Sequence, residues 1–407
     1  MNIVFVEPRF PDTQRRFVRA LRAVGAYVMV ISEYDYDHYD DELKSWIDWH
    51  HRIDSVTDEA ALEWAVRQAQ RHTWVDRLEC SIEAHVMPVA RVRERCGIPG
   101  TSARAAYLCR DKPTMKQVLR DAGIPTAAST AVETTADAMD FARSVGYPLI
   151  LKPRDAAGAA GTYRVDSDEQ LATACAASGV DAGTSVALEE FVEGHEGFLD
   201  TITINGHVTH EFASHYFPNV LEAMRTRWIS PQIIATNRVL ESEYEEVREM
   251  GRRVISVLGL DTSATHMEWF FGPKGLKFSE IGARPPGVGQ WDMYNEANEM
   301  DLHYEWAHAL MYGQAKHAPS YRYSCGLVAL RPNRDGTISG YSGLDEVHHR
   351  YGHLVTASHF PSPGTPTQPV EAGFHANAWM RLRHEDFDTL KDILSDVGRT
   401  AQVWADG

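Results

Sequence analysis

Residues 265–290, THMEWFFGPKGLKFSEIGARPPGVGQ, constrain this chain more than any other stretch. Positions 266–271 and 276–281 are rich in aromatic and branched apolar side chains. The Gly-Pro-Lys-Gly between them is turn chemistry, so the stretch reads as a hairpin followed by a loop broken by glycine and proline. A hairpin puts Glu268 and Glu280 on paired strands, each flanked by apolar residues. Two carboxylates held together away from water repel unless a cation lies between them. Mg²⁺, or Mn²⁺ in its place, suits that position, because it takes a few carboxylate oxygens and completes its shell with phosphate oxygens. Arg284, four residues after Glu280, is a planar cation able to grip a phosphate or a carboxylate at two points. Taken alone, the two glutamates read equally well as hairpin residues facing solvent.

The rest of the chain narrows that choice. Its 407 residues suffice for two or three packed units. The formal charge of −17 speaks against nonspecific nucleic-acid binding, which needs a cationic footprint. The five cysteines, Cys80, Cys96, Cys109, Cys175 and Cys325, are scattered without metal-ligand spacing and read as free thiols of a reducing compartment. The opening MNIVFVEP reads as a strand and not as a signal peptide, and no apolar run is long enough for a bilayer, so no membrane partner and a cytoplasmic location are expected.

Residues 1–95 alternate strand and helix, with strands at 2–6, 27–31 and near Leu78 and helices at 13–24, 60–72 and 82–95, which implies a parallel sheet covered by helices. The first strand-to-helix turn has no GxGxxG, so a dinucleotide site is unsupported. The acidic, aromatic segment 34–42 reads as an exposed loop or a helix start after the second strand, and His50 and His51 as surface residues. Further on, helices are expected at 114–122 and 136–145. A short apolar strand then ends in Lys152 and runs into RDAAGAAGTYRV, whose small residues allow backbone N–H groups to approach phosphate oxygens closely. Strand 186–191 carries Glu189 and Glu190, and Asn205-Gly206 marks a hairpin. Residues 213–240 are less regular and hold Arg225, Arg227 and Trp228. Helices follow at 244–258 and 293–312, the second with His303 and His308 as surface or satisfied helix histidines. Trp269, Phe270, Phe271 and Trp291 read as core. Residues 316–407 read as a small α+β cap.

In their order, DKPTMKQVLRDAGIPT, GYPLILKP, the small-residue loop, LEEFVEGHE, and HMEWFF with SEIGARP resemble the ATP-grasp superfamily over residues 75–315. The resemblance implies an α/β and α+β multidomain chain. It would have a Rossmann-like N-terminal (preATP-grasp) domain at 1–95, an ATP-grasp domain at 96–315 with a lid at about 120–185, and a C-terminal α+β domain at 316–407. It assigns ATP phosphates to Lys112 and Lys152 and the closing loop to Gly158, Ala159, Ala160, Gly161 and Thr162. Adenine falls to Glu189, Glu190, Phe191 and Val192, ribose to Glu196, and Mg²⁺ to Glu268 and Glu280. Arg284, with Lys152, steadies the transferring phosphate. Many members carry Asn two residues after the second metal glutamate, where this chain has Gly282. EIGARPPG and GIPGTSARAAYLCRDK are similar to the L-amino acid ligase branch.

The resemblance therefore implies an ATP-dependent carboxylate–amine ligase that forms an acyl phosphate, releases ADP and phosphate, and joins small carboxylate and amine substrates, amino acids or their analogues, as a homodimer. Carboxylation through carboxyphosphate and nucleotide binding without turnover are the alternatives. On the substrate side, Arg284, Arg227 and Arg225 are candidates for a carboxylate and Glu83 for an ammonium, with His215 and Trp228 lining the pocket. For Arg225 and Glu83 an ordinary surface position is the better reading of the two.

Overall fold

Strands β1 (Asn2–Val6), β2 (Tyr27–Ser32), β3 (Trp49–Arg52) and β4 (Arg77–Glu79) pair in parallel in the order β3-β2-β1-β4. The structure, a computed structural model, describes residues 1–154, 161–287 and 289–407. The first sheet is covered by α1 (Arg15–Ala23), α2 (Asp41–Ser45), α3 (Glu59–His72) and α4 (Glu83–Arg95). Ile3, Val4, Phe5 and Val28 to Ile31 are wholly buried, as the apolar runs of a doubly covered parallel sheet require. One local reading changes. His50 and His51 lie in the edge strand β3, half-buried among aromatic rings. In segment 34–42 the helix start is what forms, with Asp40 capping α2 and Tyr39 buried against the core of this unit. The strand order reverses between β1 and β4, and such a reversal opens a crevice at the carboxyl ends of the strands. Glu83 begins α4 four residues beyond the end of β4.

Helices α5 (Ala103–Leu108) and α6 (Lys112–Asp121) follow, each started by a capping side chain, Ser102 and Asp111. Next comes a small unit of β5 (Ser129–Val132), α7 (Thr135–Val145), β6 (Leu149–Pro153), β7 (Tyr163–Val165), α8 (Asp168–Ala177) and β8 (Val186–Glu190). Its antiparallel sheet runs β5-β8-β6-β7 and shares an apolar core with both helices, through Leu149, Leu151, Leu171 and Leu188.

The largest sheet takes β9 (His195–Ile204), β10 (His207–Phe217), β11 (Gln232–Ala235), β12 (Ser263–Gly272), β13 (Gly275–Gly282) and β14 (Ser324–Leu330). A two-stranded ribbon pairs β15 (Thr337–Ser342) with β18 (Gln402–Asp406), while β16 (Val355–His359) and β17 (Ala378–His384) join the large sheet. Its order is β13-β12-β9-β10-β11-β14-β17-β16. The sheet therefore runs straight across the expected boundary at 315/316, and residues 316–407 do not form a detached cap. Asn205 and Gly206, at φ 49° and 77°, close the β9–β10 hairpin as its Asn-Gly sequence demands.

The helices of this part are α9 (Val220–Ala223), α10 (Glu245–Leu258), α11 (Gln290–Asn298), α12 (Leu302–Tyr312), α13 (Leu344–Tyr351) and α14 (Phe387–Thr400). The single helix expected at 293–312 is two. Glu299 sits at φ 54°, and the Asp301 carboxylate accepts from the His303 and Tyr304 amides to start α12 afresh. Of the two readings for His303 the structure shows the interior one, its ring buried between Phe17 and Trp291. All five cysteines are free, and among the described residues no helix is long and apolar enough to cross a membrane.

Candidate active site

The β12–β13 register sets Glu268 directly opposite Glu280, with a bulge immediately after that pair. On the other side of β12, Glu268 faces Phe198, His266 faces Asp200, and Phe270 faces Glu196. Side chains at alternate strand positions share a face, so His266, Glu268, Phe270, Glu196 and Asp200 line one side of the large sheet. The small sheet and α6 bring lysines to that side. Lys152, near the end of β6, places Nζ 3.0 Å from Glu189 Oε2 and 3.7 Å from Glu280 Oε2. Lys112, the first residue of α6, lies 3.4 Å from Glu280 Oε2. Between the two sheets opens a cleft of about 480 Å³ whose walls include Lys116, Lys152, Glu189, Glu196, Glu268 and Glu280.

Charge in this cleft is almost wholly internal. Burial favours neutral Lys152, but Glu189 and Glu280 outweigh it and raise its pKa above the usual lysine value. Burial likewise raises Glu189, yet Lys116 at 2.6 Å and Lys152 hold it at about 2. Lys116 falls to about 8, because burial and the repulsion of Lys152 exceed the pull of Glu189. Glu196 is pushed upward by burial and then by Glu268, and its Oε2 accepts from the Val220 amide at 2.6 Å. Among the described residues, the buried Glu189 Oε1 has no hydrogen-bond partner. A buried acceptor left open in a cleft wall marks a place for a ligand donor.

The other sequence candidates divide by position. Thr162, Glu190, Phe191, Val192 and Arg225 line the same cleft. Arg225 donates to the Thr162 carbonyl at 2.7 Å and so ties the two walls together. Glu190 pairs with Lys274, and Arg164 lies 4.5 Å over the Phe191 ring. Gly161 adopts φ 67°, a conformation that favours glycine, with its hypothetical Cβ 3.1 Å from Pro153. Gly158, Ala159 and Ala160 lie outside the described residues. Glu83 and Arg284 sit apart from the nucleotide-sized cleft and bind each other at 2.6 Å, with Arg110 at 3.0 Å from the same carboxylate. A Cβ on Gly282 would stand 3.4 Å from Glu83 Oε2 and 3.6 Å from Arg284 Cγ. A Cβ at 282 would thus make ordinary van der Waals contact with this pair.

Several expectations change. His215 is in the aromatic interior and not in the pocket; it bonds His195 at 2.8 Å and Tyr244 at 2.7 Å, and burial pushes it down to about 3. Arg227 pairs with Asp335, away from the cleft. Trp228 is 87% exposed and is not among the described residues that line this cleft. Trp269 and Trp291 are buried as expected, but Phe270 faces the cleft and Phe271 is largely exposed. Glu83 is already held by the guanidinium groups of Arg110 and Arg284, so its carboxylate is not open to the ammonium read from sequence. Lys116 escaped the sequence reading. Its signal is the spacing, since Lys112 and Lys116 lie one turn apart on α6 and both are buried, an unusual state for lysine.

A divalent ion fits the carboxylate pair. Among the described residues no group of three or more His, Cys, Asp or Glu is disposed to hold a metal. Two facing carboxylates, now balanced by lysines that a triphosphate would attract, are the donor set Mg²⁺ uses when phosphate oxygens complete its shell.

Residues 117–298 match the ATP-grasp domain family. The alanine–anticapsin ligase of Bacillus subtilis (strain 168) is 26% identical over 268 residues, covering 59% of this chain and 55% of its own length. The chain thus spans about half the length of that relative. The L-arginine-specific L-amino acid ligase of Bacillus subtilis is 23% identical over 308 residues, covering 74% of this chain and 73% of the relative. The crystal structure of L-amino acid ligase from Bacillus licheniformis superposes with a TM-score of 0.76 at 18% identity, over 100% of this chain and 99% of the other.

Proposed function

From the premise that this chain belongs to the ATP-grasp superfamily, we propose that it is an ADP-forming carboxylate–amine ligase acting on amino acids or close analogues. The observation that carries the reading is the convergence of Lys112, Lys152, Glu189, Glu268 and Glu280 on one cleft from both sheets and α6. Relatives named as amino acid ligases support the substrate class.

A carboxylate is a poor electrophile. Attack of its oxygen on the γ-phosphorus of ATP gives an acyl phosphate and ADP; an amine then displaces phosphate and loses a proton to form the amide. Phosphoryl transfer of this kind needs positioning and charge neutralisation more than a side-chain nucleophile. Lys112 and Lys152 leave Glu280 and Glu189 to meet the phosphates. Glu189 Oε1 accepts the purine amino group, and Glu196 takes ribose hydroxyls. Mg²⁺ held by Glu268 and Glu280 would supply the remaining countercharge. Arg284, aligned by Glu83, faces the acid.

Phosphate release is the test, measured over paired acids and amino acids with Glu280→Gln as the inactive control. ADP and phosphate are expected only when both partners are present. Production of AMP and pyrophosphate overturns the proposal, and a requirement for bicarbonate in place of the acid moves the chain to carboxylation chemistry. Whether two copies associate is a separate proposal, read by sedimentation.

A further inference from the structure

The second residue before Glu268 has no part in the chemistry above, yet it is the most elaborately held polar side chain beside the cleft. His266 Nδ1 lies 2.6 Å from Asp200 Oδ1, and Asp200 is 1% exposed. The other oxygen of Asp200 accepts from the hydroxyl of Tyr294, which in turn lies 3.2 Å from Ser214 Oγ, and Gln290 Nε2 donates to that serine at 2.9 Å. Asp200, Tyr294, Ser214 and Gln290 are all buried. The His266 ring also meets the Phe198 ring edge-on at 4.9 Å. With Nδ1 committed to Asp200, Nε2 is turned to the cleft side, 3.7 Å from Glu268 Oε1, so that a shift of about half an ångström brings the carboxylate to hydrogen-bond distance. Gly282, directly opposite His266 on β13, contributes no side chain to that row.

Five buried groups fixing one imidazole is far more than a strand residue needs for its own stability. What the arrangement defines is the position of Nε2 against Glu268. We propose that His266, held by Asp200 and Tyr294, is a positioning residue that fixes the Glu268 carboxylate for the divalent ion. The proposal rests on the assignment of Glu268 to that ion. The physical basis is general: groups that hold a carboxylate ligand in place commonly govern metal affinity by 10–100-fold, because an unheld carboxylate must be ordered at the moment of binding.

Mn²⁺ binding to the full chain in the presence of ADP, followed by electron paramagnetic resonance, tests it in wild type, His266→Asn, His266→Gln and Glu268→Gln. Asparagine keeps a donor near the Nδ1 position but removes the group at Nε2, whereas glutamine reaches the Nε2 position. His266→Asn is expected to weaken Mn²⁺ binding by about 10–100-fold and His266→Gln to restore it to within about threefold of wild type. Metal-free ADP affinity, read by calorimetry, is expected to be unchanged in both. The inference is overturned if His266→Asn binds Mn²⁺ as wild type does, if His266→Gln is as weak as His266→Asn, or if metal-free ADP binding falls in parallel. A Glu268→Gln variant with wild-type Mn²⁺ affinity would instead remove the assignment of the ion to Glu268, a result distinguishable from failure of His266 alone.

Discussion

Glu189→Gln and Lys116→Met remove opposite ends of one buried ion pair, and the structure assigns them very different costs. Glu189 is held by two lysines, at 2.6 Å and 3.0 Å, and all three groups are buried or nearly so. A carboxyl drawn from 4.5 to about 2 gains about 3 kcal/mol of stability at neutral pH. Its removal leaves two lysines in the cleft wall, and breaking such a pair costs about 3–5 kcal/mol. Lys116 differs because its pKa falls from 10.5 to about 8, a burial penalty of about 3 kcal/mol that leaves with the charge. Glu189 still has Lys152 afterwards, so Lys116→Met should fall within about 1 kcal/mol of wild type. For one cooperative transition of 407 residues the unfolding entropy is about 0.85 kcal/mol/K, or about 1.2 °C per kcal/mol. Scanning calorimetry should therefore place Glu189→Gln about 4–6 °C below wild type and Lys116→Met within about 2 °C. Because the folded-state value of Glu189 is depressed, its contribution is complete above about pH 4.5 and is lost as pH falls towards 2, so the gap between Glu189→Gln and wild type must narrow over that interval. A Glu189→Gln protein melting within 1 °C of wild type, or Lys116→Met falling equally far, would refute the reasoning.

Gly194 has φ 150°, and a Cβ there would stand 2.5 Å from the Phe271 carbonyl oxygen, so Gly194→Ala should lose at least about 2 kcal/mol and lower the melting temperature measurably. Arg284→Lys forfeits the planar contact with Glu83 and any two-point grip on an acid; kcat/KM for the acid should drop about 10–100-fold while KM for ATP stays within twofold, since Arg284 lies outside the nucleotide cleft. An equal rise in KM for ATP would contradict that placement. Trp228→Ala should leave melting temperature and kinetic constants unchanged, because the side chain is 87% exposed, and a fall in kcat/KM would show that this tip folds over the cleft during turnover.

Much of the site is written in short-range signals. Glu268 and Glu280 are legible because a tight Gly-Pro-Lys-Gly turn fixes which residues of the two strands face each other, and Lys152 because it ends a short apolar strand. The same local logic reveals the four parallel-sheet elements of the first unit apart from β3, whose WHHR carries no alternation to betray a strand. His266 is invisible to such reasoning, since its partners Asp200 and Tyr294 stand 66 residues before it and 28 after it. So are the break between α11 and α12, set by one capping aspartate inside a continuous apolar pattern, and the entry of β14, β16 and β17 into the large sheet.

By itself the sequence determined the hairpin with its two carboxylates, the ends of most helices, and the order of the clusters that mark the superfamily, because each depends on residues within a turn or two of one another. Tertiary structure alone decided that Lys116 shares Glu189 with Lys152, that Glu83 pairs with Arg110 and Arg284, and that His215 belongs to the interior. Those outcomes depend on which faces of distant elements meet, and packing between sheets, unlike a turn, is fixed only when the whole chain has closed.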